Sequence, residues 1–211
     1  MVYNKTEKII QKQQKLRAKI LKAAKEVLAA QETGNTSVKA IAKKAGIATG
    51  TFYLYFTNKE ALIDTVVQEL YAELLTIIKK ERAQYTSVFD KLQASMEVCI
   101  RTFLKEKHLA KILLKHFPEI NSAFNTRFTG IENDLIEFAK QDLDELLELK
   151  LIPDQDTQVS AAAFVGTFRE VILSWLNNGE PADWEQALQT LIEYNMRGIG
   201  RPDPAKKMIE F

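Results

Sequence analysis

The stretch that decides the fold is TSVKAIAKKAGIATGTFYLYFTNKEAL, residues 36–62. Apolar residues recur at helical spacing in two short segments, 38–45 and 49–55, on either side of Gly46. Ser37 and Asn58 are residue types that cap helix starts, and glycine is the type that most often ends a helix. The stretch therefore predicts two short helices joined by a tight turn, and then a longer helix that begins at Asn58.

Two short helices joined in this way have the spacing of a helix-turn-helix motif. Val38, Ile41, Ala42, Ala45 and Ile47 would form its small core, with Phe52 and Phe56 on the inner face of the second helix. The remaining side chains of that helix would face outward, where hydroxyl groups can reach base edges or phosphate oxygens: Thr49, Gly50, Thr51, Tyr53 and Tyr55. The alternative is an ordinary helical hairpin with a solvated lysine face.

Charge is divided unevenly along the chain. Residues 1–60, called the head below, carry 12 Lys and Arg against 4 Asp and Glu. Residues 61–211, the body, carry 17 against 24, so a net charge near neutral hides a basic head on an acidic body. This asymmetry indicates a polyanionic partner for the head alone.

The rest of the chain reads as helices. With 8 Gly and 5 Pro among 211 residues, turn-forming residues are too scarce for an all-β fold. Apolar periodicity predicts one helix before the motif and six from Asn58 onward, over residues 12–31, 58–85, 87–105, 108–116, 121–149, 156–177 and 183–198. Pro118, Pro153 and Pro181 fall in the predicted gaps.

Several other classes of protein are disfavoured. The single Cys99 cannot form an intramolecular disulfide, and neither a signal peptide nor a run of 18 apolar residues is present, so we expect a soluble cytoplasmic protein. His108 and His116 are the two histidines, and no metal-binding or nucleophile motif surrounds them, so we expect no enzyme, cofactor or metal. The acid-rich segment 132–148 is interpreted as a solvated helix face.

Residues 36–62, with Ile20, Leu21, Ala23 and Ala24 before them, resemble the signature of the TetR family of transcriptional regulators. The resemblance implies an all-α fold of about nine helices: a three-helix DNA-binding domain over 1–57, an effector-binding and dimerisation domain over 58–200, and a flexible tail over 201–211. It also implies an Ω-shaped homodimer that represses transcription at a palindromic operator until a small molecule binds.

The resemblance assigns DNA-contacting roles at matching positions. Ser37 would cap the second helix and touch phosphate, and Gly50 would allow the backbone close to the groove. Lys39 would bind phosphate or base, and Lys59 would bind phosphate. Thr49 and Thr51 match the start of the recognition helix, and Tyr53 and Tyr55 match phosphate-binding positions. Two departures stand out: Ala48 replaces a frequent capping serine, which moves the expected cap to Thr49, and Thr49 replaces a frequent lysine.

The body supplies candidates for an effector pocket, which should be mostly apolar with a few polar groups. Arg169 is the polar candidate, and the apolar ones are Met96, Cys99, Ile100, Phe103, Phe117, Phe124, Phe128 and Phe164. These favour a small hydrophobic effector, although a plain core needs the same residue types. Residues 156–198 are expected to form the dimer, or else an intramolecular helix pair.

Two other functions stay open at this point: a helix-turn-helix protein that acts without an effector, and a helical enzyme. The basic N-terminal segment also has two interpretations. Lys5, Lys8, Lys12 and Lys15 either follow the minor groove of DNA or simply keep the protein soluble.

Overall fold

The structure is a computed structural model, and it describes residues 3–30, 37–114 and 122–202, with the side chains of 7–30, 37–107, 110–114 and 132–202. These ranges contain nine helices and no strand, which confirms the predicted all-α class. The helices are α1 (Tyr3–Ala30), α2 (Val38–Ala45), α3 (Thr49–Phe52), α4 (Lys59–Arg82), α5 (Val88–Lys105), α6 (Lys107–Leu114), α7 (Ser122–Glu148), α8 (Thr157–Asn178) and α9 (Trp184–Gly198).

Helix α1 begins nine residues earlier than predicted, at Tyr3 instead of residue 12. Its first half has almost no apolar residues that pack, so apolar periodicity carried no signal there. Lys, Gln and Glu are nevertheless good helix formers, and the helix extends through them on propensity. From Glu7 to Lys19 every side chain is exposed except that of the half-buried Leu16.

Helix α3 is shorter than predicted and ends at Phe52 rather than Tyr55. The amides of Leu54 and Tyr55 donate to carbonyls three residues back, at 3.2 and 2.9 Å, so the helix tightens and stops. Asn58 must be extended (φ −158°, ψ 179°) to cap α4. The short turn 53–57 therefore allows α3 to end at Phe52 and Asn58 to cap α4.

Helix α4 connects the head to the body. Its 24 residues span about 36 Å. One apolar core, continuous through the described residues, follows it from Leu62 beside the head helices to Ile78 beside α5. Head and body therefore share a single packed interior along this helix.

A buried ion pair closes the body end of α4. Arg82 donates two hydrogen bonds of 2.7 Å to the carboxylate of Asp142 on α7 and one of 3.0 Å to Ser95 on α5. Its guanidinium lies 4.4 Å from the ring centroid of Phe138. Asp142 is 6% exposed, so the interpretation of 132–148 as a wholly solvated face is wrong at this residue. The reason is Arg82, which reaches it from a distant part of the chain.

Helix α8 is the only described helix that is long and apolar enough to cross a membrane, by length and composition alone. The sequence predicted no such helix, because it contains no run of 18 apolar residues. A third of that apolar window is buried, and the helix carries Arg169 and Glu170 near its middle. A helix of a soluble protein has a similar composition when one of its faces packs on the core and another packs against a partner protein.

We expect Asp142→Asn to lower the free energy of unfolding by about 3 kcal/mol, because it leaves the buried Arg82 charge without a counter-charge. The control is Glu193→Gln, which makes the same change in the exposed pair that Glu193 forms with Arg197 and should cost at most about 0.5 kcal/mol. Urea titrations at one protein concentration measure both. Equal, small effects would show that loss of the Asp142 charge does not leave an uncompensated buried charge at Arg82.

Candidate DNA-binding surface and effector cavity

The start of α2 is fixed by Ser37. Its backbone is extended and its hydroxyl accepts the Ala40 amide at 3.1 Å, as predicted for an N-cap. Lys39 lies exposed in the first turn that this cap holds.

The turn between α2 and α3 depends on the backbone of Gly46. Its φ of +63° is in the left-handed region, where the amides of Gly46 and Ile47 donate back to the carbonyls of Lys43 and Ala42 at 3.1 and 3.0 Å. A Cβ at Gly46 would meet only the Lys19 Nζ, at an ordinary 3.5 Å. Glycine is therefore required here by the backbone conformation and not by a lack of space. This turn sets the direction of α3.

Two phenylalanines fasten α3 to the head. Phe52 and Phe56 are buried with ring centroids 5.8 Å apart, as the sequence predicted. The Phe52 ring also meets Tyr53 edge-on at 5.3 Å, and Arg17 of α1 lies 5.4 Å from the Phe56 centroid. The inner face of α3 is thus packed from both sides.

The outer face of α3 presents most of the predicted contact residues. Thr49 and Gly50 are exposed and Thr51 is half-buried. Tyr53 is 54% exposed, whereas Tyr55 is half-buried and packs on the core. Sequence reasoning missed Leu54, which is 81% exposed and belongs to the same surface. Its apolar character gave no reason to expect it outside.

The expectation that Thr49 caps α3 is wrong. Thr49 is the first helical residue, and the cap position stays at Ala48, which is extended (φ −70°, ψ 147°) and has no side chain to accept an amide. The Thr49 hydroxyl is consequently not used as a cap. A Cβ added to the neighbouring Gly50 would have no atom within 4 Å, so the surface is open there.

Lys59 stands at the first position of α4. Asn58 caps the helix by accepting the Ala61 amide at 2.7 Å, and α4 then directs its positive dipole end toward the side where α3 lies. Lys59 is half-buried. Elsewhere in the head, Lys44 is paired with Glu26 at 2.9 Å.

A narrow cavity lies in the body between α4, α5, α7 and α8. It encloses about 30 Å³ of free space, and Met96, Cys99 and Phe164 from the predicted set line it. Ile100 and Phe103 are buried in the core beside it. Arg169 is outside the lining and lies 3.6 Å from Glu132. Phe117, Phe124 and Phe128 fall outside the residues whose side chains the structure describes.

Polar atoms of the cavity come from groups that sequence reasoning did not single out: Arg82, Asp142 and Ser95. The sequence signal that could have pointed to this cluster is Arg82, an arginine at the end of the apolar stripe of α4. Burial of Cys99 raises the pKa of its thiol to about 12, so it is protonated and unreactive at neutral pH. Tyr71 of α4 has its pKa raised as well, mainly by burial and also by Asp134.

Comparison with known proteins shows what the helix-turn-helix region and the whole fold are similar to. Residues 20–66, which hold α2, α3 and their neighbours, match the model of the bacterial regulatory proteins of the tetR family. This match covers the helix-turn-helix region, about a fifth of the chain. The fatty acid metabolism regulator protein of Bacillus subtilis is 24% identical over 181 residues, which are 85% of this chain and 93% of that protein. Relatives of this kind are transcriptional regulators, not enzymes.

Solved TetR-family structures match the fold over most of the chain. The fatty acid degradation regulator FadR from Bacillus halodurans superposes with a TM-score of 0.77 at 23% identity, covering 89% of this chain and 97% of that one. FadR from Bacillus subtilis, in complex with stearoyl-CoA, gives 0.76 at 23% identity, covering 86% and 98%. The protein therefore has the helical architecture of these regulators.

Proposed function

We propose that the protein is a homodimeric repressor whose head binds a palindromic operator and whose body releases it when a small hydrophobic effector binds. The observation that carries the proposal is α4, which begins with Lys59 beside the recognition helix and ends with Arg82 in the wall of the cavity. On this proposal residues 1–57 bind DNA and residues 58–200 bind the effector and the second copy. Such a regulator works in the cytoplasm, where the chromosome is.

Contacts with DNA divide by chemistry. The residues proposed to hold phosphates lie before or after α3 in the chain rather than within it: Ser37, Lys39, Tyr53, Tyr55 and Lys59. The start of α3, Thr49–Thr51, is proposed to meet the bases, with Thr49 and Gly50 exposed and Thr51 half-buried. The open space at Gly50 supports close approach of the α3 backbone to the groove.

The effector is proposed to carry an acyl chain. The cavity wall is apolar apart from the Arg82 cluster, and the Bacillus subtilis relative of the same fold binds stearoyl-CoA. Pockets for such ligands measure about 300 Å³ or more, ten times the free space present here. Binding would consequently have to separate α4 and α5 from α7 and α8, and α4 would carry that movement to the head.

The dimer is proposed to form through residues 156–198. Val159 of α8 is 63% exposed, and Ala162 and Ala163 beside it are exposed small residues that permit close helix approach. Tyr194 of α9 is 65% exposed. A second copy would cover this apolar face, and two-fold symmetry would match the two half-sites of a palindrome.

Lys59→Ala should reduce the magnitude of the slope of log K against log[salt] by about 1 per copy, about 2 per dimer, because one phosphate contact per copy is lost. Operator DNA, selected by the protein from a random pool, and unselected DNA should lose affinity in parallel. Fluorescence anisotropy across a salt series measures both. The control is Lys79→Ala on the exposed body surface, and an indistinguishable slope in the two variants would remove Lys59 from the phosphate contacts.

Sedimentation velocity at micromolar concentration should give one species at twice the chain mass of 24.0 kDa. The physical reason is the exposed apolar face of α8, which is unfavourable in water. A species at the mass of one chain would contradict the dimer, whatever the protein binds.

Stearoyl-CoA should weaken operator binding, with free coenzyme A as the control that lacks the acyl chain. We expect the operator Kd to rise at least about fivefold, which is the lower end of typical allosteric couplings. An unchanged Kd together with a thermal shift would mean that the ligand binds without regulating. No shift and no change would favour a DNA-binding protein that acts without this class of effector.

A further inference from the structure

The first half of α1 leaves the packed head and stands alone. Residues 3–19, called the arm below, precede Ile20, the first buried residue of the helix. The arm is continuous helix, so its described side chains, those of residues 7–19, have a fixed geometry.

A lysine face runs along the arm. Lys5, Lys8, Lys12, Lys15 and Lys19 are spaced three and four residues apart, which places them on one side of a helix. They cover about 21 Å of helix length. The structure describes the Lys5 backbone as part of α1, and the side chains of the other four are exposed.

Contacts at the base of the arm show its direction. Arg17 lies at Phe56, just before α4 begins, and 3.8 Å from Glu69. Two turns later, Lys25 reaches Glu69 and Glu73, at 3.5 and 3.4 Å. The helix therefore advances in the same sense as α4, toward the body, and the arm projects from the opposite side of the head.

The lysine face continues from the helix-turn-helix itself. Lys19 Nζ lies 3.5 Å from the point that a Cβ on Gly46 would occupy, which is the turn that leads into α3. The arm thus begins at the motif that binds DNA and extends beyond it.

The charge of the arm is largely unneutralised. It contains six Lys and Arg and one acid, Glu7. Arg17 is paired with Glu69, but Lys8, Lys12 and Lys15 make no ion pair with another described residue. Double-stranded DNA carries one negative charge per about 1.7 Å of its axis, so a straight row of ammonium groups of this length is complementary to it.

We propose that the lysine face of the arm binds the phosphate backbone of DNA next to the segment held by α3, and adds affinity without sequence preference. The inference rests on the DNA-binding function. A membrane surface fits less well, since an interfacial helix needs a broad apolar face. Opposite its lysines the arm carries Ile10, Gln14 and Arg17. Ile9 and Ile10 are the large exposed apolar side chains among its described residues, too few for such a face.

The test removes three charges while keeping helix propensity. The variant Lys8→Gln/Lys12→Gln/Lys15→Gln is compared with Lys79→Gln/Lys80→Gln/Lys105→Gln, three exposed lysines of the body. Both are full-length chains, and circular dichroism checks their helix content. The probe is a random-sequence duplex of about 30 base pairs, followed by anisotropy between about 50 and 200 mM salt.

The arm variant should lower the magnitude of the salt slope by about 2 to 3 per copy, near 0.9 for each lost contact. The body variant should leave it unchanged, and Lys8→Arg/Lys12→Arg/Lys15→Arg should keep the wild-type slope. Equal slopes for the arm and body variants would overturn the proposal. So would an unchanged slope with lost binding to phosphatidylglycerol vesicles, which would assign the arm to membranes. Wild-type protein that bound no duplex would instead refute DNA binding itself.

Discussion

The structure depends on α4 being held at both ends. At its start, the Asn58 cap sets where α4 begins, and Leu62 packs in the core that it shares with the helices that carry the DNA-binding surface. At its end, Arg82 is held by Asp142, Ser95 and the Phe138 ring. A packed helix of about 36 Å does not bend easily between such anchors. A change at the cavity is therefore transmitted to the head by movement of α4 as a rigid body.

The ion pair at Arg82 suits this role better than an apolar contact would. Buried ion pairs add little net stability, because removal of two charges from water offsets most of their attraction. They do require a defined geometry: Arg82 is satisfied only when α5 and α7 both stand at hydrogen-bonding distance. On the proposed function, an acyl chain that widened the cavity would lengthen or reorient these bonds. Two arrangements of α4 against α7, rather than a continuous range, are then the expected states.

The head was largely predictable from sequence because its signals are local. Ser37, Gly46 and Asn58 each act within four residues of their own position, and the structure confirms all three. The start of α1 was missed because the side chains of residues 7–15 are all exposed, so no apolar periodicity marks the helix there. The cap at Thr49 was misplaced because the backbone, not the hydroxyl, decides where α3 begins.

The cavity was predictable only in part. Met96, Cys99 and Phe164 follow helical periodicity, and any apolar body helix would offer such residues. Asp142 looked like one more acid on a solvated face, since the partner that buries it, Arg82, lies 60 residues earlier in the chain. Burial of a polar residue depends on tertiary contacts, so no local sequence pattern predicts it. The same holds for the exposed Leu54, whose position follows from where α3 stops.

The coupling between cavity and DNA surface is tested most directly by the affinity for stearoyl-CoA, measured by calorimetry on the free protein and on the protein saturated with operator. Linkage requires DNA to weaken ligand binding by the same factor by which the ligand weakens DNA binding. We predict a Kd for stearoyl-CoA that is at least about fivefold higher on the operator complex. Equal affinities in the two states would contradict the account, because α4 would then transmit nothing between its two ends.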